Sequence, residues 1–149
     1  MGALESAGVS ATIAVLLGMH VRPRKLGRVY GVNAGFVLLP DHETVLAPDA
    51  AFVCAGREPQ GKVRWHFARL APGLVVEVCS PFDLAHDMQA KIAMYQEATV
   101  PLIWIVDPQV RTVTVLALGQ EPVTLTVADT LDGGDVLPNL RIEVAEIFA

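Results

Sequence analysis

The spacing of apolar residues predicts one long helix followed by short strands in the first half of the chain. Over residues 5–21, apolar side chains recur every three or four positions, which is the period of one helical face. Pro23 is expected to end this helix. Residues 28–39 carry apolar residues interrupted by Gly31 and Gly35, which predicts one bent strand or two short ones. The other features expected here are a turn at 40–43, an apolar segment at 45–47, a short strand at 50–55 and a polar loop at 57–69.

The second half of the chain predicts a strand, a helix and a strand in succession. The apolar run at 73–79 ends at Ser80-Pro81. Helical spacing then covers 84–98, and a second apolar run covers 102–106. Two strands joined in this way lie parallel, with a right-handed crossover. A hairpin formed by 112–117 and 123–127 and a terminal helical turn at 144–148 complete the prediction. The expected fold class is α/β, or α+β, with one mixed sheet.

One carboxylate interrupts the apolar run LVVEV, because Glu77 stands in the middle of what is otherwise a buried strand. An ionised carboxylate that is buried without a partner costs several kcal/mol, or its pKa rises until the group is neutral. Three explanations stay open at this point: an ion pair, a bound metal and a catalytic role.

Length and composition predict one domain. The 149 residues, 52% of them apolar, are expected to form a single domain spanning 1–149. The mean hydropathy of +0.45 is high. The longest apolar stretches, however, are about a dozen residues, against the roughly 18 to 20 that a membrane-spanning helix needs, so no membrane association is expected. Cys54 and Cys79 fit no metal-binding spacing, and a reducing cytoplasm is the expected location.

Charge is distributed unevenly along the chain. The net charge of −5 argues against a general binder of polyanions. Between residues 20 and 69, however, eight basic residues stand against four acidic ones, whereas residues 70–149 carry three basic and eleven acidic residues. This distribution is compatible with a locally basic face, although an ordinary solvated surface is the simpler interpretation.

Two acidic positions and one helix face are candidates for a shared site. Asp49 stands just after a proline at the start of a strand, so it and Glu77 are expected at the same edge of the sheet. Two hard oxygen ligands suit Mg²⁺, with water and a substrate phosphate completing its coordination. Asp87, Lys91 and Tyr95 follow at i, i+4 and i+8 on the next helix and share roughly one face. The alternatives are that Asp49 is only a turn residue and that Asp87 and Lys91 form a surface ion pair, worth about 0.3–0.5 kcal/mol.

A series of motifs, in order along the chain, carries a family resemblance. They are LGRVYG (26–31), GF (35–36), LAPDAAFV (46–53), LVVEVCSP (74–81), VPLIWIVDP (100–108), DTL (129–131) and LPNLRI (137–142), with Asp87, Lys91 and Tyr95 in the helix. Over residues 27–148 the chain resembles the bacterial family of Uma-type restriction endonucleases, within the PD-(D/E)XK nuclease superfamily. The resemblance implies a restriction-endonuclease-like mixed β-sheet with a βαβ unit and flanking helices.

The resemblance also implies a set of site residues. It makes Asp49 and Glu77 the ligands of a divalent metal, Mg²⁺ or Mn²⁺. The superfamily places a lysine two positions after the second acid, where this chain has Cys79. The lysine that matches this family is Lys91 on the next helix, which would assist the attacking water. A main-chain carbonyl near Cys79 is a candidate third ligand. The supporting residues implied in the helix are Asp87 and Tyr95.

The implied function is metal-dependent endonucleolytic hydrolysis of DNA, and the implied assembly is a homodimer. If DNA is bound, phosphate contacts are expected from the segment 22–28 and from the loop 57–69. The basic residues proposed in that loop are Arg57, Lys62, Arg64 and Arg69.

Two departures from the family favour a different function. The chain has neither a preceding strand of the YELIDGE kind nor a histidine at the start of its first helix. The sheet is therefore expected to lack the family's N-terminal strand. Together with the acidic net charge, these departures favour a catalytically inactive nuclease-fold remnant that acts as a binding or assembly module.

Overall fold

The computed structural model describes residues 2–39, 44–59, 67–81, 83 and 85–149, and the elements given below lie within these ranges. The turn predicted at 40–43 and the basic residues Lys62 and Arg64 fall outside them.

The predicted helices and strands occur in the expected order, together with two strands, β9 and β10, that were not expected. In sequence the elements are α1 (Ala3–Arg24), β1 (Gly27–Tyr30), β2 (Phe36–Val37), β3 (Val45–Leu46), β4 (Ala50–Cys54), β5 (Leu74–Val78), α2 (Ala85–Glu97), β6 (Leu102–Asp107), β7 (Thr112–Ala117), β8 (Val123–Leu125), β9 (Thr130–Gly133), β10 (Leu137–Glu143) and α3 (Val144–Ile147).

Six of these strands form one mixed sheet in the order β1-β4-β5-β6-β7-β8. Strands β5 and β6 are parallel and are joined through α2, which confirms the predicted βαβ unit. The other neighbours in this sheet are antiparallel, including the predicted hairpin β7–β8. Strands β2 and β3 form one separate two-stranded ribbon, and β9 and β10 form another. The mixed α+β fold is therefore the one expected.

The alternation of side chains along β5 distinguishes the two faces of the sheet. Val76 belongs to a core that includes fully buried Ile13 of α1 as well as residues of β9, β10 and α3. Val75, one residue earlier, belongs to the core on the opposite face, together with Tyr95 of α2. Because Glu77 is two residues after Val75, its side chain points toward the α2 face.

Helix α1 continues past the proline that was predicted to end it. Pro23 lies inside the last turn and α1 ends at Arg24, so the predicted end near residue 21 is wrong by about three residues. Proline lacks an N–H and crowds the carbonyl four residues back, but so close to the end of a helix few bonds are lost. The helix ends where Lys25 adopts the left-handed conformation, with a φ of 54°, and donates its N–H to the carbonyls of Arg22 and Val21.

By length and composition alone, α1 is also apolar enough to cross a membrane, with a mean hydropathy of 1.4. The apolar stretch of about a dozen residues noted in the sequence is part of a longer uncharged segment of α1. No residue between Glu5 and Arg22 carries a formal charge if His20 is neutral. Ile13 and Leu17 of this helix are fully buried against the sheet. Core helices of soluble proteins meet the same criterion, and the buried face of α1 accounts for part of its apolar composition.

The sequence patterns did not predict the β9–β10 ribbon, because its second strand is irregular. The pairing register shifts between Leu137 and Arg141, and Asn139 between them has a φ of 66°. An irregularity of this kind interrupts the two-residue alternation by which a strand is recognised.

Candidate functional site

The pairing of β4 with β5 brings two carboxylates to the same place. Ala51 lies opposite Val75 and Ala50 opposite Val76 in this antiparallel pair. Continuing the register by one residue sets Asp49 opposite Glu77. Side chains that are directly opposite share a face, and their Cβ atoms lie about 4.5–5.5 Å apart. The expectation that these two acids meet at one edge of the sheet follows directly from this register.

Asp49 is held in place by the backbone of β5. Its Oδ2 atom accepts a hydrogen bond of 2.7 Å from the N–H of Val78. The side chain is half-buried, and this bond fixes it at the point where β5 ends. Asp49 is therefore an ordered part of the site rather than a simple turn residue.

Glu77 is held by two side chains from one face of α2. The residue is only 3% exposed. Tyr95 donates its hydroxyl to Oε2 over 2.8 Å, and the Nζ atom of Lys91 lies 3.5 Å from Oε1. Lys91 and Tyr95 are four residues apart, so both project toward the same side of the helix. The buried carboxylate of Glu77 thus has an ion-pair partner and a hydrogen-bond donor.

Burial raises the pKa of both carboxyl groups. For Glu77, the hydrogen bond from Tyr95 and the charge of Lys91 oppose this rise, while the charge of Asp49 adds to it. For Asp49, the hydrogen bond from Val78 and the charge of Lys91 oppose the rise. The pKa of Tyr95 is raised by burial and by the charge of Glu77, so the phenol stays a neutral donor. A divalent cation would stabilise the negative charges of these two adjacent buried carboxylates and so offset the cost of burying them. This is the physical reason to consider a metal here.

Cys79 occupies the position at which the superfamily has its lysine, and it carries no positive charge. Burial, together with nearby carboxylates such as Asp107, raises the pKa of its thiol to about 11, which keeps it protonated at neutral pH. Its main chain is tightly held, because its N–H donates to Val106 and its carbonyl accepts a hydrogen bond of 2.9 Å from the hydroxyl of Ser6. A carbonyl oxygen has two lone pairs, so this contact leaves one for a further partner.

A cleft of about 500 Å³ opens at the end of β5. Its charged lining within the described residues consists of Asp49, Glu77, Asp83 and Lys91. Three carboxylates and one ammonium group give this lining a net charge of −2 when all are ionised. The opposite wall comes from α1 and from the loop after β1, and its residues are Ala3, Ser6, Ala7, Ser10, Ala11, Ala14, Gly31 and Val32.

Two residues of this cleft were missed by the sequence reasoning. Ser6 reaches Cys79, which is 73 residues away in the chain, and a contact of that range leaves no local pattern. Asp83 lines the cleft, and its Oδ2 atom accepts a hydrogen bond of 2.7 Å from the N–H of Ser80. Its spacing of six residues from Glu77 fits no helix or strand period, so no sequence pattern linked it to the cleft, and the sequence suggests only a helix N-cap at this position.

Asp87 is not brought to the cleft. Its carboxylate is 59% exposed and lies 3.2 Å from the Nδ1 atom of His86, rather than beside Lys91. Among the described residues, Asp87 therefore has no contact with Asp49, Glu77 or Lys91 that would support the site, unlike Tyr95.

The two described arginines of the basic loop lie on the surface. Arg57 is exposed and donates to the carbonyl of Ala71 over 2.9 Å, and Arg69 is exposed as well. Their role in phosphate binding stays a prediction.

The donor set suits a magnesium-type ion. Across the described ranges, no three side chains of histidine, cysteine, aspartate or glutamate come together as a complete metal cage. Mg²⁺ does not need such a cage, because it retains several waters and is usually held by one or two carboxylates plus substrate phosphates. Asp49 and Glu77 fit that requirement.

Comparison with known proteins identifies the family. Residues 1–145 match the family model Uma2, described as "putative restriction endonuclease". The fold matches the crystal structure of a protein from Anabaena variabilis described as a "putative nuclease", with a TM-score of 0.82 and 18% sequence identity, over 97% of this chain and 80% of that chain. At this identity the likeness establishes the fold alone. A comparison with curated proteins gives no match. The chain therefore belongs to the Uma2 restriction endonuclease family and has the nuclease-like mixed fold that the sequence resemblance implied.

Proposed function

We propose that this protein is a metal-dependent endonuclease that hydrolyses DNA phosphodiester bonds. Asp49 and Glu77 hold Mg²⁺ or Mn²⁺, and Lys91 assists the attacking water. The observation that carries the proposal is the convergence of these three side chains in one open cleft, in a chain that belongs to an endonuclease family.

The contacts of the two acids prepare them for a cation. Val78 and Tyr95 each donate a hydrogen bond, to Asp49 and Glu77 respectively, and so fix both carboxylates before a metal arrives. A carboxylate has about four lone-pair positions, so each acid keeps capacity for a cation besides these bonds. When bound, the metal lowers the pKa of its water and stabilises charge on the scissile phosphate.

Lys91 has the exposure and the donors that its role requires. Its side chain is 40% exposed, while Glu77 beneath it is almost fully buried. An ammonium group has three donors. With one directed at Glu77, two remain for the attacking water or for a phosphate oxygen. Lys91 therefore links the buried acid to the open side of the cleft.

The charge of the cleft supports a metal requirement for substrate binding as well as for chemistry. Among the described residues, Asp49, Glu77 and Asp83 share the cleft with one basic side chain, Lys91. An anionic phosphate would be repelled from a lining with a net charge of −2. One divalent cation offsets that charge. DNA is therefore expected to enter the cleft only when the metal is bound.

A second candidate function, a non-catalytic assembly module, is favoured by the outer face of α1. This face exposes Leu4 by 88%, Val15 by 59% and Met19 by 66%. Large apolar side chains repeated along one exposed helix face are typical of a surface that a partner covers. A second copy of this chain would be one such partner, with or without catalysis. Light scattering tests it, because Met19→Glu is expected to give a monomer where the wild-type chain gives a dimer, and equal masses would contradict it.

DNA cleavage with defined metals tests the main proposal. Purified, EDTA-treated protein is incubated with plasmid DNA, with and without Mg²⁺ or Mn²⁺. Cleavage is expected only with metal, and it is expected to be lost in Asp49→Asn, Glu77→Gln and Lys91→Ala. The matched control is Glu146→Gln, which neutralises an exposed carboxylate in α3. Cleavage that persists in all three site variants would refute the proposed site, whereas a wild-type protein that cleaves no DNA with either metal would favour the assembly module.

A further inference from the structure

An aromatic side chain beside the cleft takes no part in the chemistry described above. Phe67 is 58% exposed. The next residue, Ala68, is 7% exposed and forms a parallel bridge with Phe36, in which the Ala68 N–H donates to the Gly35 carbonyl over 3.0 Å. In an extended segment, alternate side chains point to opposite sides. Because Ala68 points into the core, Phe67 and Arg69 point outward.

The ring of Phe67 packs on one side against the chain at Gly35. A Cβ atom added to Gly35 would lie 2.5 Å from the Cδ1 atom of Phe67 and 2.7 Å from Cγ1 of Val45. These distances are well inside van der Waals contact, so the ring lies directly against the backbone of Gly35. The aromatic group is thus held in position while more than half of the residue stays accessible.

Two exposed arginines lie along the same segment as this ring. Arg69 is exposed on the same side of the segment, two residues along. Arg57 directs its guanidinium to the carbonyl of Ala71, two residues beyond Arg69. An exposed aromatic face combined with nearby guanidinium groups is the arrangement that binds single-stranded nucleic acids, through base stacking and phosphate contacts.

The ring is close enough to the cleft to act on the same substrate. Gly31 and Val32 line the cleft. The ring of Phe67 packs against Gly35, which is four residues after Gly31. At no more than about 3.6 Å per residue, the Cα atoms of Gly31 and Gly35 are within roughly 14 Å of each other. At about 3.4 Å of rise per nucleotide, this distance corresponds to around four nucleotides or fewer.

We propose that Phe67 and Arg69 form a subsite for an unpaired nucleotide of the DNA substrate. The base stacks on the ring of Phe67, and the phosphate contacts Arg69. This inference rests on the proposed function and adds a preference to it. Because the bases of a duplex are stacked on one another, the subsite favours single strands, frayed ends and bubbles over intact duplex.

Fluorescence anisotropy with two probes tests the subsite. The probes are a fluorescein-labelled single strand of DNA and the duplex of the same sequence, both with Mg²⁺. Lys91→Ala serves as the background so that the strands are not cut. In this background Phe67→Ala and Phe67→Leu are expected to weaken single-strand binding by about 5- to 100-fold, the range for loss of one stacked aromatic. Phe67→Trp is expected to retain it, and duplex binding is expected to change less.

The salt dependence separates the two residues of the subsite. Arg69→Ala is expected to reduce the slope of log affinity against log salt by about one contact, whereas Phe67→Leu leaves the slope unchanged. The control is Leu118→Ala, which removes another exposed apolar side chain, 54% exposed, in the turn after β7.

The outcomes separate this inference from the proposed function. If the wild-type protein cleaves DNA with metal but Phe67→Ala and Phe67→Leu bind the single strand as tightly as the background does, the subsite is refuted and the endonuclease stands. An equal loss on both probes also refutes stacking on an unpaired base. If the wild-type protein neither binds nor cleaves DNA with metal, both proposals fail.

Discussion

Two cavities of nearly equal size lie in different parts of this molecule and differ in what lines them. The cleft at the end of β5 measures about 500 Å³, and its lining contains Asp49, Glu77 and Lys91. The other cavity, about 460 Å³, lies among β7, β8 and the β9–β10 ribbon. Its lining is mixed, with apolar side chains such as Leu131 beside two carboxylates, Asp132 and Asp135, and it contains no lysine or arginine among the described residues.

The difference lies in the partners of the charged groups rather than in volume. Glu77 is buried and is contacted by Lys91 and Tyr95. Asp135 is exposed, and so water already stabilises its charge. A buried acid with converging partners marks a chemical site more reliably than the size of a cavity does.

The largest effect is expected when an acid of the cleft is neutralised. Asp49→Asn and Glu77→Gln should weaken Mn²⁺ binding by more than the roughly 10- to 100-fold that loss of an outer-shell partner costs, because each removes a proposed ligand. Isothermal titration calorimetry measures this affinity. Asp135→Asn, in the other cavity, should bind Mn²⁺ as the wild-type protein does. Equal affinities in all four proteins would remove the distinction between the two cavities.

The second cavity should matter for stability alone. Leu131 is 1% exposed and lines it. Leu131→Ala is expected to lower the free energy of unfolding by about 2–5 kcal/mol, because it enlarges a void in the core. Urea denaturation measures the loss, and Val123→Ala, at a position 52% exposed, should lose much less. A large loss of Mn²⁺ affinity in folded Leu131→Ala would contradict the assignment.

Tyr95 should act by positioning Glu77. Its hydrogen bond lowers the pKa of Glu77, so Tyr95→Phe raises that pKa further. Because the metal binds the ionised carboxylate, the pH at which Mn²⁺ binding is half-maximal should move upward. At fixed neutral pH the affinity should fall by roughly 10- to 100-fold. Tyr30→Phe, the matched control outside the cleft, should leave the pH profile unchanged.

The smallest effect concerns stability of the metal-free protein as a function of pH. Burial raises the folded-state pKa of Asp49 and Glu77 above the values of 3.8 and 4.5 expected in the unfolded chain. Between those values and the raised ones, the folded protein binds more protons, so the contribution of these groups to stability falls as pH rises. Melting curves across this window should show a weaker decline in Asp49→Asn than in Asp135→Asn. Saturating Mg²⁺ should offset the decline in the wild-type protein.

Local periodicity was sufficient for most of the fold. The βαβ unit was predictable because β5 and β6 are continuous apolar runs and α2 between them has the period of a helix. The predicted positions of β4 and β5 also led to the expectation that Asp49 and Glu77 lie at one edge of the sheet. The irregular β10 and the contact from Ser6 to Cys79 were not predictable, since one breaks the alternation and the other joins distant parts of the chain.

On α2, residues about one turn apart reach the same partner, whereas residues about two turns apart do not. Residues four apart differ by about 40° around a helix, whereas residues eight apart differ by about 80°. Lys91 and Tyr95 therefore both reach Glu77, but Asp87 is turned away and pairs with His86. A sequence pattern of i, i+4 and i+8 specifies a sector of the helix, and a small site accepts only part of that sector.

Anomalous diffraction from a crystal soaked in Mn²⁺ tests the central claim most directly. The expected result is a manganese peak in the cleft, within roughly 2.1 Å of a carboxylate oxygen of Asp49 and of one of Glu77, with water completing the coordination. A crystal with no peak between these two acids, or with its peak only at the surface carboxylates of the second cavity, would contradict the claim.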